Sequence, residues 1–337
     1  MTPDFDPGAL QAFLAAALGP EVGHFRPERI SGGQSNPTYF LEWNRRRLVL
    51  RKKPNGPVLK GAHAIEREYR VLSALQGTKV PVPKPILLHE DADTIGTPFY
   101  LMDRVEGRVF NDPSLAEVAL GDRQAIWLSA AETLAHLHNI DPSAVGLSDY
   151  GRTGSYFTRQ ISLWDRQYRA SPSGPIAPIE HVHAWLAANM PADDDTPRLC
   201  HGDFRLGNMI FHPTETRVVA VLDWELSTLG HPMADLGFIA MAWHTSQDEY
   251  GGLLDIDLAR EHLPTETEFI RRYEATLGRP VALLPFHKAF ALYRFAVIFV
   301  GISDRAKSGT ASDPKAAALA PLAERFAIRA LEIIETA

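Results

Sequence analysis

Apolar and polar positions follow two different rhythms along the 337 residues, and the change falls near residue 103. Residues 7–19 repeat apolar side chains at three- and four-residue steps (Leu10, Phe13, Leu14, Ala17, Leu18), which predicts an amphipathic helix. Over 27–53 the rhythm shortens. Residues 38–43 and 48–51 are short β-rich runs, and Asn44-Arg45-Arg46 between them reads as a hairpin-like turn. Helical spacing returns over 62–75, with Ile65, Tyr69, Leu72 and Leu75 on one side. Prolines 81, 83 and 85 end that helix and start an extended segment, and 98–102 predicts another strand.

After Gly107 the pattern is mostly helical. Residues 122–138 form a long helix with Ile126, Trp127, Ala130, Leu134 and Leu137 inward, and 170–178 is a Pro/Ser/Gly-rich loop. Two short strands, 209–212 and 218–222, interrupt the helices, and an Ala-rich helix covers 315–336. The expected class is α+β, with a β-rich unit at 1–102 followed by a helical unit at 103–337.

Composition removes several functions. The 34 Lys+Arg against 41 Asp+Glu give a formal net charge of −7, so no nucleic-acid partner is expected. A local basic pocket for a phosphate stays open. One cysteine, Cys200, excludes an intrachain disulfide and fits a reducing compartment. The N-terminus opens with acids and is a poor signal peptide. The longest apolar run, 290–302, is broken by Arg294 and is too short for a bilayer. The expectation is a cytoplasmic protein that no membrane holds.

Candidate chemistry is densest at Cys200-His201-Gly202-Asp203-Phe204-Arg205-Leu206-Gly207-Asn208 and Val221-Leu222-Asp223-Trp224-Glu225. Phosphoryl transfer from ATP needs one carboxylate to orient the attacking hydroxyl. It also needs an amide and a second carboxylate as hard oxygen ligands for Mg²⁺. Asp203 fits the first role; Asn208 and Asp223 fit the others, if the two strands between them form a hairpin. Gly32-Gly33-Gln34-Ser35-Asn36 reads either as a backbone cradle for phosphates or as a plain hairpin turn. Arg51, at the end of a Val/Leu strand, could reach the phosphates with Glu68 from the next helix as its partner; Lys53 is the fallback cation. The alternative is a solvated basic run, 45–53, against an acidic helix. The pairs His136/His138 and His181/His183 are spaced i,i+2 and point apart on a helix, which argues against metal binding. His201 reads as structural and Cys200 as buried.

Taken in order, GGQSNPTY, LVLRKK, IEREYR, PFYLMDRVEG, HGDFRLGN, VLDWE and HPMADLG resemble the aminoglycoside/choline-kinase-like phosphotransferase family, over roughly residues 28–305. The resemblance implies a protein-kinase-like fold, a β-rich N-lobe hinged to a helical C-lobe, ATP (or GTP) as donor, Mg²⁺, and a small-molecule hydroxyl as acceptor. It implies Asp203 as catalytic base and Asn208 and Asp223 as metal ligands. For nucleotide binding it implies Gly32, Gly33, Ser35 and Asn36 in the loop, Arg51 paired to Glu68 rather than Glu66, Val49 against the base, and hinge contacts from Asp103 and Val105. Asp235 resembles the acid that braces the catalytic loop, or is simply a first-turn helix acid. Two positions depart from the family pattern. Gly207, before the metal Asn, could loosen the loop. Glu225 could contact a second metal through water or be a surface acid.

The strings RKKP, REYRVL, VPVPK, GTPFYLM, VEGRVF and VLDWELSTLG are similar to the branch of this family associated with acyl-CoA dehydrogenases. That implies a hydroxy acid or its CoA ester as acceptor and a functional link to an acyl-CoA dehydrogenase. Over 156–168, Tyr156, Arg159 and Gln160 fall together on a helix, and so do Trp164 and Tyr168, either lining the acceptor site or packing the helix. Aminoglycoside or choline-like acceptors, and a nucleotide-binding pseudokinase, are the alternatives.

Overall fold

The computed structural model describes residues 3–20, 25–30, 36–55, 64–152, 154–192, 197–249, 251–309 and 316–336. The chain starts with α1 (Pro7–Leu18), capped by the Asp6 side chain accepting from the Gly8 N–H at 2.8 Å, with Pro7 in the first turn. Then come β1 (Glu28–Arg29), β2 (Thr38–Trp43), β3 (Arg46–Lys52), α2 (Ile65–Ala74), β4 (Pro85–His89) and β5 (Phe99–Asp103). The strands form one antiparallel sheet in the order β1-β2-β3-β5-β4. Asn44 and Arg45 both take left-handed backbone (φ 48° and 65°), the two-residue turn whose twist matches a hairpin. The turn residues are therefore 44–45, and Arg46 already belongs to β3.

Side chains alternate across this sheet. Leu48 and Leu50 face α1 and pack with Leu10, Leu14, Trp43 and Phe99 in one apolar cluster. Val49 faces the other way, into the core shared with α2 and the helical part. The same parity sends Lys52 to the α1 side, where its fully buried ammonium meets Asp4 at 3.1 Å, and leaves Arg51 on the inner face.

The helical part contains α3 (Leu120–His138), α4 (Tyr156–Arg169), α5 (Ala177–Ala188), β6 (Arg198–Cys200), β7 (Met209–Phe211), β8 (Val218–Val221), β9 (Thr228–Gly230), α6 (Met233–Ala240), α7 (Glu266–Leu277), α8 (Pro285–Lys307) and α9 (Leu322–Glu335). β7 and β8 form a hairpin, and β6 pairs with β9. α3 and α7 pack on the sheet side; α4, α5, α8 and α9 form a second apolar cluster.

Some boundaries differ from the pattern reading. α3 starts at Leu120, α5 starts at Ala177 inside the expected loop, and the last helix starts at Leu322 after a short 3-10 turn at Ala316–Leu319. Pro178 and Pro321 explain two of these starts, because proline suits a helix N-terminus and breaks its interior. The apolar run at 290–302 lies inside α8, whose 23 residues are by length and composition enough to cross a membrane. That is longer than the sequence run suggests, but 72% of the apolar window is buried against neighbouring helices, as in the core helix of a folded domain.

Candidate active site

The site is assembled by three tight local structures. β3 delivers Arg51 to the cleft floor. Its guanidinium Nε lies 3.0 Å from a Glu68 oxygen on α2, and one terminal nitrogen lies 2.7 Å from Asp223 Oδ1 and 3.6 Å from Glu225. Glu68 is 2% exposed and also accepts from Asn36 Nδ2 at 2.9 Å and from the Tyr100 hydroxyl at 3.0 Å. Burial pushes the Glu68 carboxyl up to about 7, and the Arg51 charge pulls against it. With donors on both oxygens, the ionised form is the one these contacts accommodate. The attraction of Glu68, Asp223 and Glu225 outweighs desolvation and holds Arg51 firmly protonated.

The second structure is the loop after β6. Gly202 has φ 85°, and a Cβ there would stand 2.6 Å from the Leu226 carbonyl oxygen, so glycine is required. The backbone N–H groups of His201 and Gly202 donate to the two Asp235 oxygens at 2.6 and 2.8 Å. Asp235 is 1% exposed; burial pushes its carboxyl up, but His138, His201 and the Gly202 N–H bring it below the usual carboxylate range. The His201 ring takes the Asp203 N–H on Nδ1 (3.1 Å) and gives its Nε2–H to the Leu222 carbonyl (2.8 Å). It therefore ties the Asp203 loop to the strand end that carries Asp223, the structural role expected of it.

The third structure is the β7–β8 hairpin. Its Met209–Val221 pairing, and the Leu222 N–H bonded to the Asn208 carbonyl at 2.8 Å, place Asn208 and Asp223 at the open end together. Asn208 Nδ2 donates to Asp203 Oδ2 and to the Asp203 carbonyl, both at 2.8 Å. Its amide oxygen is thereby turned away. Asp223 keeps Oδ2 without a partner among the described residues and sits at φ 64°, an unusual backbone for a non-glycine. An amide oxygen and carboxylate oxygens are the donor set magnesium prefers, so Asn208 and Asp223 fit that ion chemically. Carboxylate oxygens of Glu68, Asp223 and Glu225 lie within 4.8 Å of one another, so Glu225 belongs to this cluster rather than to the surface.

Between sheet and hairpin lies a cavity of about 370 Å³, with Val49, Met102, Asp103 and Val105 on one side and Val221 and Asp223 on the other. Asp103 gives its N–H to the Lys84 carbonyl (2.8 Å), and its carboxylate pairs with Arg46 (3.0 Å). The Val105 N–H has no partner among the described residues. α2 is fastened to the helical part by Arg67, which donates to the Tyr150 carbonyl at 3.0 Å with its guanidinium 4.0 Å from the Tyr150 ring, and by Arg70, which pairs with Asp149. A smaller cavity of about 80 Å³ lies on the other side of the Asp203 loop, lined by Asn111, Arg205, Gly207, Phe238, Met241 and Phe295.

Most sequence candidates thus meet: Val49, Arg51, Glu68, Asp103, Val105 and Asp223 line one cleft, and Asn208 and Asp203 are bonded to each other beside it. Gly32, Gly33 and Ser35 lie outside the described residues. Of that loop Asn36 is described: its side chain is 1% exposed and donates to Glu68, so it positions that carboxylate. Lys53 pairs with Glu66 at 3.0 Å, outside the Arg51 cluster. Gly207 is held in a 3-10 turn, where a Cβ would stand 3.0 Å from Asn111 Oδ1; its smallness gives room rather than slack. On α4, Tyr156 packs on Gly230, the Tyr168 hydroxyl accepts from the Ile176 N–H, and Arg159 turns back on the Gly154 carbonyl. None of these lines the smaller cavity. Tyr100 and Arg67 were not anticipated. Tyr100 stands directly opposite Arg51 across β3 and β5, and that register was the one signal available for it.

Comparison with known proteins places this arrangement. The model of the phosphotransferase enzyme family matches residues 27–274. The chain belongs to that family. A crystal structure from Ralstonia eutropha, provisionally described as an aminoglycoside phosphotransferase, is 41% identical with a TM-score of 0.89, covering 98% of this chain and 99% of that one. A ternary complex of an aminoglycoside phosphotransferase with AMP-PNP and hygromycin B shares the fold at 15% identity and TM-score 0.63, over 95% of this chain and 98% of that one. Acyl-CoA dehydrogenase family member 11 of Gallus gallus is 42% identical over 98% of this chain but only 43% of its own length. The chain thus spans less than half of that relative. The protein-kinase-like α+β fold read from the sequence is the one observed.

Proposed function

We propose that the protein is an ATP-dependent small-molecule kinase that moves the γ-phosphoryl group to the hydroxyl of a hydroxy acid or hydroxyacyl-CoA. One observation carries this reading: the ion-paired Arg51, Glu68 and Asp223 line one cleft, and the β7–β8 hairpin sets the hydrogen-bonded Asn208–Asp203 pair beside it. The interlobe cavity would take the base of ATP (or GTP) against Val49, with the Asp103 carbonyl and Val105 N–H as the groups to hold it. Arg51, fixed by Glu68, meets the phosphates. Asn208 and Asp223 would hold Mg²⁺, which when bound would neutralise phosphate charge.

Asp203 Oδ2 is taken by Asn208, which leaves Oδ1 to accept the acceptor's O–H. The hydroxyl oxygen bonds to the γ-phosphorus as the bond to the β,γ-bridging oxygen breaks. The proton passes to Asp203, and the nucleoside diphosphate leaves. The chain contributes positioning and preorganised charge, and these supply most of the rate enhancement in phosphoryl transfer.

The acceptor class draws support from the small cavity lined by Arg205, Leu206 and Gly207 of the loop that follows Asp203. Its walls are mainly apolar, Arg205 stands at its edge with Nε 3.7 Å from Asp203, and its carboxylate, Glu249, is already bound by Arg325 (2.6 Å) and Arg329 (2.8 Å). A polycationic aminoglycoside finds little free negative charge there. The dehydrogenase-named relatives point the same way and support a functional link to an acyl-CoA dehydrogenase.

Asp203→Asn is the test. It should keep nucleotide binding while turnover falls by about 10²–10⁴-fold, measured as phosphorylated product by mass spectrometry across hydroxy acids, hydroxyacyl-CoAs, choline-like amines and aminoglycosides. Transfer at the wild-type rate by this variant would sink the role of Asp203. No product from the wild type with any acceptor, despite nucleotide binding, would favour a pseudokinase.

A further inference from the structure

Burying a guanidinium costs several kcal/mol unless acceptors meet it, so buried arginines are almost always paired. Arg294, on α8, departs from that rule. It is 8% exposed, and its Nε is shut off from solvent with no acceptor. No hydrogen bond or ion pair joins it to any described residue. Two rings hold it instead: the guanidinium carbon lies 5.4 Å from the Trp164 centroid and 5.5 Å from that of Phe238. The Trp164 Nε1–H is likewise buried without an acceptor. A third donor is near. The Tyr156 hydroxyl has no partner among the described residues, and Arg294 is among the charges that oppose the upward push of burial on it.

So Arg294 of α8 and Trp164 of α4 each bury a donor that no acceptor among the described residues meets, with the Phe238 ring of α6 beside the guanidinium. Phe238, one of the two rings at Arg294, is also a wall of the small cavity beside the Asp203 loop, as is Phe295, the next residue on α8. The unpaired charge is therefore separated by one ring from the cavity assigned to the acceptor.

We propose that Arg294 and the Trp164 indole N–H form a binding site for the carboxylate of a short apolar acid, and that this site holds the acid end of the acceptor. The second half rests on the hydroxy-acid reading above. A carboxylate suits the site better than a phosphate because one guanidinium neutralises one negative charge, whereas a phosphate dianion would leave a net charge buried. The surrounding rings match an apolar chain. The free acid, not its thioester, is then the preferred acceptor.

Butyrate, which has no hydroxyl to phosphorylate, is the direct probe. Titrated without nucleotide, it should bind the wild type, read by calorimetry and by a change in tryptophan fluorescence. Arg294→Met should weaken binding about ten- to hundredfold, Arg294→Lys less, and Trp164→Phe should weaken it and remove most of the fluorescence change. Thermal melts establish that each variant is folded. Inorganic phosphate should bind more weakly than butyrate. Wild-type protein that ignores butyrate, Arg294→Met that binds it as well as wild type, or tighter binding of phosphate overturns the carboxylate site. In turnover, Arg294→Met should raise KM for a free hydroxy acid and leave kcat near wild type; an unchanged KM overturns the acceptor assignment while leaving phosphoryl transfer intact. Butyrate binding in a protein that phosphorylates no hydroxy acid would uphold the site and reject the proposed reaction.

Discussion

Arg51 and Arg294 are both buried arginines, and the chain treats them in opposite ways. Arg51, with 13% of its side chain exposed, is surrounded by Glu68, Asp223 and Glu225. Arg294 has rings around it and no counter-charge from the described residues. The first arrangement is a finished electrostatic unit: its acids come from α2 and the end of β8, so the charge also fixes how the sheet sits on the hairpin. The second is unfinished, and a folded chain keeps such a charge when something outside the chain completes it. The contrast separates a cation that builds a site from one that waits at a site.

The largest test of that contrast is Arg51→Met. It leaves Glu68 buried with its main counter-charge removed, and losing one partner of a buried pair costs about 3–5 kcal/mol. Denaturant unfolding should show a loss of that order, and nucleotide affinity should fall with it. Replacing Glu68 as well, in Arg51→Met/Glu68→Gln, should recover part of the stability but none of the affinity. If the single variant is as stable as wild type, the pairing seen in the cleft is not what holds the two parts together.

The sequence made the Arg51 side of this comparison legible and hid the Arg294 side. Strand alternation puts Arg51 and Val49 on one face and Lys52 on the other, and a period of two needs no tertiary knowledge. Asp203, Asn208 and Asp223 were legible because a loop and one hairpin, all local in the chain, bring them together. The bond from the Asn36 side chain to Glu68 was not legible, because that carboxylate comes from a helix beyond the next two strands. Trp164 and Arg294 come from α4 and α8, and only the packing of the helical layer reveals that they meet without an acceptor. Apolar periodicity marks the buried faces of those helices, but it cannot say which buried charge will be left unpaired.

Arg294→Met is the opposite arm of the comparison and should have the opposite sign. Methionine keeps most of the apolar stem and removes a buried charge that has no partner. The ligand-free protein should therefore gain about 1 kcal/mol, seen as a higher Tm. The loss of ring contacts to Trp164 and Phe238 offsets part of the gain. A Tm below wild type would mean that the rings and bound solvent already compensate the charge, and the two arginines would then be alike.

The smallest expected effect belongs to Lys53→Met. Lys53 lies two residues beyond Arg51 and is the other cation that the strand pattern offers for the phosphates. Its ammonium pairs with Glu66 at 3.0 Å, with side-chain exposures of 24% and 42%, so water screens the pair and its contribution is well under 1 kcal/mol. Removing it should change stability by no more than about 0.5 kcal/mol and leave nucleotide affinity within error of wild type. The measurement is informative because Lys53 and Arg51 carry the same charge on neighbouring stretches of backbone. Equal losses of nucleotide affinity in the two variants would mean that the cleft responds to summed positive charge. A loss confined to Arg51→Met would mean that burial and the ion pair with Glu68, rather than charge alone, make a cation part of this site.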